Sequence, residues 1–320
     1  MRLLPAGAYV SQLLERCTFP PADTPVVAAV SGGPDSLALL ALATAAGLEV
    51  TAVHVDHGMR PGSDQEARLV ESVANRFGAK FEAFTVDVGP GPDLEARARQ
   101  ARYSVLPKGV LVGHTADDQL ETVLLNFLRG AGLPGLAGMA SGDNDWVQRP
   151  MLGLRRSETT ELCRHLGLKP LQDPTNSDLR MRRNAIRHRL VPLAEEIAGR
   201  ELAPIVARQA EVVRADSELL DELSADVDAT DAKMLAAAPL PLARRAVRSW
   251  IRRLDPESHP PSIGAVNRVL SVARGEVVAC ELPGGIGVRR SAQRLYVQLP
   301  GGAADHASPG GTGDDKPRRG

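Results

Sequence analysis

Sulfur and aromatics are what this sequence has least of. Its 320 residues include three cysteines, Cys17, Cys163 and Cys280, which are far apart, odd in number, and match neither a CxxC redox pair nor a zinc-binding set. That excludes a disulfide scaffold and fits a reducing, cytoplasmic compartment. Aromatic residues make up 3% of the chain, too few for a nucleic-acid surface built mainly on base stacking. Charge of one sign is missing as well: the formal net charge is -1, so no global basic field exists and any anionic partner must be held by local clusters. The longest uncharged apolar stretch, Leu37 to Leu48, falls well short of the roughly 20 residues that span a bilayer. The N-terminus carries no signal-peptide pattern, so no membrane partner and no export are expected.

What is present is an alternation of strand-like and helix-like segments. "PVVAAV" (Pro25 to Val30) and "EVTAVHVDHG" (Glu49 to Gly58) flank a helical run ending at Gly47, which reads as a βαβ unit. "DQEARLVESVANRFG" has helical apolar spacing, "KFEAFTVDV" alternates as a strand, "DLEARARQARYSVL" is an arginine-rich helix, and "GVLVGH" is a short buried strand. This predicts an α/β fold, a doubly wound parallel sheet of Rossmann-like type, with ligands outside the carboxyl ends of the strands. After about Arg200 the pattern changes to helices, then to short strands broken by "PGG", so a smaller α+β C-terminal domain is expected. The division expected is a catalytic domain over 1–205, a second domain over 206–299, and a disordered Gly/Pro/charge-rich tail over 300–320.

The polar clusters follow strand ends or open helices. "SGGPDS" (Ser31, Gly32, Gly33, Pro34, Asp35, Ser36) joins a strand to a helix N-terminus, where free N–H groups and the helix dipole favour an anion. The glycines permit positive φ and close approach, and the serine hydroxyls can donate to phosphate oxygens. Asp35 would repel a bare phosphate, which points to a Mg²⁺ ion bridging carboxylate and phosphates. The loop is neither GxGxxG nor GxxxxGK[ST], and a plain glycine turn is the competing reading. "HVDHGMR" follows the second strand. His54 turns inward there as an ordinary core histidine, while Asp56 and His57 emerge beside the loop. In "GHTADDQLET", Thr115 is an N-cap with Asp117 and Asp118 in the first turn, a pairing the helix dipole favours even without function. Helical spacing puts His114, Asp118 and Glu121 or Thr122 near one face, fit for a magnesium ion or an ammonium group. Glu95, Arg99 and Arg102 share turn spacing, for which a solvated face is the default. "DLRMRRNAIRHR" gathers six basic side chains, although arginine outnumbers lysine throughout: the only lysines are Lys80, Lys108, Lys169, Lys233 and Lys316. Arg244, Arg245, Arg248 and Arg252 recur near one-turn spacing, suited to a phosphate backbone or to plain solvent.

Read together, these motifs resemble the PP-loop (N-type) ATP pyrophosphatases and, within them, the lysidine synthase family that acts on isoleucine tRNA. The resemblance is carried in order by "SGGPDS", "VHVDHGMR" (Val53 to Arg60), "GHTADDQLETVLLNFLRGAGLPGLAGM" (Gly113 to Met139), "RPML" (Arg149 to Leu152) and "QDPTNSDLRMRRNAIRHRLVP" (Gln172 to Pro192). It implies ATP and Mg²⁺ as cofactors, with the loop and the segment of Asp56 and His57 lining the ATP pocket and Asp35 at the metal. It implies free L-lysine and a tRNA(Ile) bearing a CAU anticodon as partners, with AMP and pyrophosphate as products. His114, Asp118, Arg99 and Arg183 take catalytic positions. Arg60, Arg102, Glu121, Asp173, Asn176, Asn184 and Arg187 fall at the substrate end, and Arg244 and Arg248 on the tRNA-facing helix. Many relatives continue into a third domain, whereas ordered sequence here is expected to end near Leu299, leaving tRNA grip to the second domain and to a homodimer. Two other readings stay open: a tRNA thiolase, disfavoured because no cysteine pair is present, and a nucleotide-binding module, disfavoured by the downstream acids and arginines.

Overall fold

The computed structural model describes residues 7–56, 63–89, 91, 94–143, 146–171, 177–254 and 260–299. The chain divides into two compact units, Met1–Arg214 and Ala215–Gly320.

The first unit opens with α1 (Gly7–Leu14) and continues through β1 (Pro25–Ala29), α2 (Pro34–Ala45), β2 (Glu49–Asp56), α3 (Ser63–Phe77), β3 (Lys80–Thr85), α4 (Leu94–Val105), β4 (Val110–Leu111) and α5 (Ala116–Leu128). Then come α6 (Leu133–Leu136), β5 (Gly142–Asp143), β6 (Val147–Gln148), α7 (Arg156–His165), α8 (Arg182–Ala185), a π-helical turn at Ile186–Leu190 and α9 (Val191–Ala198), followed by α10 (Ala203–Ala225), within which the boundary between the two units falls. The strands form one sheet in the order β3-β2-β1-β4-β6-β5. Every pairing is parallel except β5 on β6, so the expected parallel sheet closes on an antiparallel edge hairpin. Because β2 lies on one side of β1 and β4 on the other, the order reverses between β1 and β4. The loops leaving those two strands therefore meet at a topological switch point.

Helix α2 is buried from Ser36 to Ala43, as an all-round apolar sequence requires. Its leucines Leu37, Leu39, Leu40 and Leu42 pack with Ala28 and Val30 of the central strand segment, and with Met151, Leu154, Leu162 and Leu166. On α3 the apolar stripe buries Val70, Val73 and Ala74 in the same core, and Gly78, at φ +75°, ends the helix as its position suggests.

In the second unit, α11 (Ala232–Ala237) is capped by Asp231, which accepts from Lys233 N (2.9 Å) and Met234 N (3.0 Å). It is followed by α12 (Leu240–Leu254), α13 (Ile263–Arg274) and an antiparallel sheet of β7 (Ala279–Leu282), β8 (Ile286–Ser291) and β9 (Arg294–Gln298). Ala243, Ala246, Val247, Trp250 and Ile251 of α12 face the core. The arginines take the positions between them, as 3.6-residue periodicity dictates.

Candidate functional site

The loop after β1 follows from its glycines and its proline. Gly32 takes φ +81°, which an L side chain rarely adopts. Its carbonyl accepts from Leu171 N at 3.0 Å. Gly33 is the N-cap of α2 and Pro34 follows in the first turn, where a missing N–H costs nothing. The two serines divide their work. Ser36 is buried and inward-facing: its Oγ accepts from Ser31 N (3.2 Å) and donates to Gly33 O (2.9 Å). It holds the loop's shape, and only the exposed Ser31 hydroxyl, 3.4 Å from Ser36 Oγ, remains at the surface for an anion.

The segment after β4 meets this loop through Gly113. A Cβ there would lie 2.8 Å from Asp35 O and 2.9 Å from Asp35 C, so the two main chains touch where only glycine fits. Next, Thr115 caps α5, and Asp118 Oδ2 accepts from both Thr115 N (2.9 Å) and Thr115 Oγ1 (3.0 Å). His114 Nδ1 accepts from Arg149 Nε at 3.2 Å, and the buried Arg149 also donates to Ala140 O at 2.9 Å. Arg149 of "RPML" therefore orients the histidine.

At the centre stands Arg156, which sequence reasoning passed over. Its guanidinium reaches Asp35 Oδ2 (3.4 Å), Asp118 Oδ1 (2.9 Å) and Glu121 Oε1 (2.9 Å). Arg183 joins from α8 to Asp118 Oδ1 (3.1 Å) and Glu121 Oε2 (2.8 Å). Arg187, from the π-helical turn, grips both oxygens of Glu121 at 2.6 and 3.0 Å. Three carboxylates and three guanidiniums thus form one charge-balanced network, and Thr159 adds its hydroxyl to Asp35 Oδ1. A signal for Arg156 did exist. Arg155 and Arg156 open α7, the end of a helix that disfavours cations, so something other than the helix must hold them. Asp117 does part of this, pairing with Arg155 Nε at 3.1 Å and accepting from Arg156 N at 2.8 Å.

The electrostatics separate the acids. Burial raises the carboxyl of Asp35 to about 6, only partly countered by Thr159 and Arg156. Burial pushes Asp118 up too, but Arg156, His114 and Arg183 outweigh it and hold the group below the usual carboxylate range. Glu121 is likewise desolvated and likewise held low, by Arg187 and Arg156. Asp118 and Glu121 are anions fixed among cations, whereas Asp35 is the acid that charges reluctantly.

Of the other residues singled out, Asp56 is the half-buried last residue of β2, and Arg102 is exposed on α4. Glu121, and not Thr122, enters the network; the Thr122 hydroxyl donates to Asp118 O at 2.8 Å. Asn184 is buried and donates to Asp178 O at 3.0 Å, tying down the entry to α8. Arg244 Nε donates to Asn267 at 3.1 Å. Arg245 leaves the expected solvent stripe, binding Asp221 and donating to Ser217 Oγ at 3.2 Å. His57, Arg60, Asp173, Asn176, the side chain of Arg99 and the tail from 300 lie outside the described residues.

Comparison with known proteins gives the following similarities. Residues 8–194 match the model described as a PP-loop domain, and residues 231–296 match a TilS substrate binding domain. The tRNA(Ile)-lysidine synthase of Rhodococcus erythropolis is 46% identical over 239 residues, covering 71% of this chain and 73% of that protein. That of Nocardia farcinica is 40% identical over 274 residues, covering 81% and 85%. Among solved structures, the U34-tRNA thiolase NcsA from Methanococcus maripaludis superposes with a TM-score of 0.53 at 16% identity, over 66% of this chain and 80% of that one. At that identity the likeness concerns the fold.

Proposed function

The chain belongs to the PP-loop family of tRNA(Ile)-lysidine synthases, and from that premise we propose that it joins free L-lysine to C2 of the wobble cytidine in a CAU anticodon. The observation that carries this reading is the meeting, at one switch point, of a glycine loop that opens a helix and a balanced acid–arginine network. A pyrimidine 2-carbonyl oxygen is too poor a leaving group for an amine to displace. ATP removes the difficulty: the oxygen attacks the α-phosphate, pyrophosphate departs, and C2 is left bearing AMP. The lysine ε-amine then adds to C2 and AMP leaves.

The chain's own groups supply positioning and preorganised charge. Backbone N–H groups of Gly32, Gly33 and the first turn of α2 cradle the departing pyrophosphate, with the Ser31 hydroxyl beside them. Asp35, a single carboxylate in the first turn of α2 that Thr159 and Arg156 now hold, fits the one-or-two-carboxylate habit of Mg²⁺ bound with phosphates. Such an ion, held by Asp35, would neutralise phosphate charge. Asp118 and Glu121 offer the negative pair that an incoming ammonium can claim from the arginines. The arginines in turn favour the neutral amine that attacks and can receive the lysine carboxylate as a fork. We assign the amine's proton to His114 or Asp118, Asp118 being the weaker base because Arg156 and Arg183 hold it low; alanine at each should cut lysine incorporation, and an unchanged rate at either removes that residue from the role. The thiolase reading fits less well, since burial raises the thiols of Cys17 and Cys163 to about 12, far from a nucleophilic thiolate. The test is transfer of radiolabelled lysine to a transcript of the CAU-anticodon tRNA(Ile). We expect transfer with ATP and none without; no transfer with ATP would overturn the reading.

A further inference from the structure

We propose that His54 is a positioning residue that sets the entry of the phosphate-binding loop, a role that rests on reading this loop as the ATP phosphate site. His54 lies in β2 and is 2% exposed. Its Nδ1 sits 3.0 Å from Val30 O. A carbonyl only accepts, so Nδ1 must carry the proton, and in the neutral ring Nε2 is then an acceptor. Among the described residues, that Nε2 is buried without a hydrogen-bond partner. Leaving a buried acceptor unpaired costs at least as much as one ordinary hydrogen bond returns. Packing stability alone therefore gives no reason for an imidazole here, and the Val30 contact is what it provides.

That contact falls at a telling place. Val30 O and Ser31 N belong to one rigid peptide plane. His54 holds its carbonyl side, while Ser36 Oγ holds its N–H side at 3.2 Å. With both edges fixed the plane cannot rotate, and its orientation determines how the chain enters Gly32 at φ +81°. The direction of the loop's N–H groups toward a phosphate follows from it. His54 thus acts on ATP through the main chain, from inside the sheet.

The experiment is ATP- and tRNA-dependent lysine transfer by the full chain, with KM read for ATP and for lysine. Asparagine places an amide N–H near the position of Nδ1, glutamine places its amide nearer Nε2, and leucine has neither. His54→Leu should raise the KM for ATP about tenfold and leave that for lysine within about twofold, the scale of one well-placed hydrogen bond. His54→Asn should recover to within about threefold of the parent, and His54→Gln should not. Should the leucine variant not fold, the Asn–Gln pair still decides. Equal KM values for ATP in those two, or a better Gln than Asn, overturn the inference. Failure of the parent protein to transfer lysine would instead overturn the reading of the site.

Discussion

Arg156 reaches three carboxylates from a half-buried position, whereas Arg244 on α12 reaches one asparagine, at 3.1 Å from Asn267. The two arginines come from the same lysine-poor composition but sit in different physical regimes. In the switch-point site each guanidinium is shared among acids that are themselves desolvated, so removing one leaves the others uncompensated. On α12 the arginines occupy the polar side of an amphipathic helix whose other side carries Trp250 and Ile251 into the core. Arg245 apart, which pairs with Asp221, charge there faces water and is screened by salt. On the proposed reading, charge in the first region serves the chemistry and in the second a phosphate backbone, and the two should respond differently to mutation.

The largest effect is expected from Arg156→Ala. It strands Asp35, Asp118 and Glu121 with two cations in place of three, and should cost about 3–5 kcal/mol in urea unfolding. Lysine transfer should fall below detection. Arg156→Lys should rescue little, because a single ammonium cannot serve three carboxylates as a fork does. Gly113→Ala comes next: its Cβ would meet the Asp35 carbonyl, which cannot swing aside as a side chain can. A loss of about 1–3 kcal/mol is expected, together with a raised KM for ATP as the loop shifts.

Asp35→Asn should separate function from stability. The folded carboxyl titrates near 6, above its unfolded value, so its stabilising contribution is complete below the ordinary carboxylate pKa and is lost as pH rises through about 6. At neutral pH the ionised form is held at a cost, and asparagine should add about 1 kcal/mol of stability while abolishing adenylation. Asp118 and Glu121 have the opposite sign. Held below their ordinary values, they stabilise the fold above the ordinary carboxylate range, and that contribution is lost as pH falls through their folded pKa. Unfolding followed between pH 4 and 8 should therefore show the Asp35→Asn variant with a steeper rise than the parent.

The smallest effects on stability belong to α12. Arg244→Ala and Arg248→Ala should each change unfolding by less than about 0.5 kcal/mol. Each should weaken tRNA binding uniformly and lower the slope of log affinity against log salt by about 1, with the KM for ATP unchanged. A large fall in lysine transfer at saturating tRNA would erase the contrast between the two regions.

Much of this was legible in the sequence, for physical reasons. The β-branched runs, the glycine-ended helices and the strand–glycine–helix junction are local features, and local features dictate β1, α2, β2 and α3. The capping of α5 by Thr115 could be read from spacing, as could the shared face of Asp118 and Glu121. The two arginines opening α7 hinted at Arg156, but its role could not be assigned, because its partners lie 35 to 121 residues away along the chain and only folding joins them. Ser36 looked like a phosphate ligand because hydroxyls in such loops often donate outward; here its hydroxyl is engaged within the loop, by Ser31 N and Gly33 O. The fate of Arg245 likewise depended on Asp221 and Ser217, residues of α10 that no periodicity on α12 announces.

The most direct test of the account is one pair of assays on Asp35→Ala: pyrophosphate release in the presence of ATP and the CAU-anticodon transcript, and binding of the same transcript to the protein. The proposed division of labour predicts pyrophosphate release abolished and tRNA affinity within about twofold of the parent, since it assigns Asp35 to the nucleotide and not to tRNA. Release that persists in the variant, or tRNA binding that disappears together with it, would contradict the assignment of the loop and its aspartate to ATP.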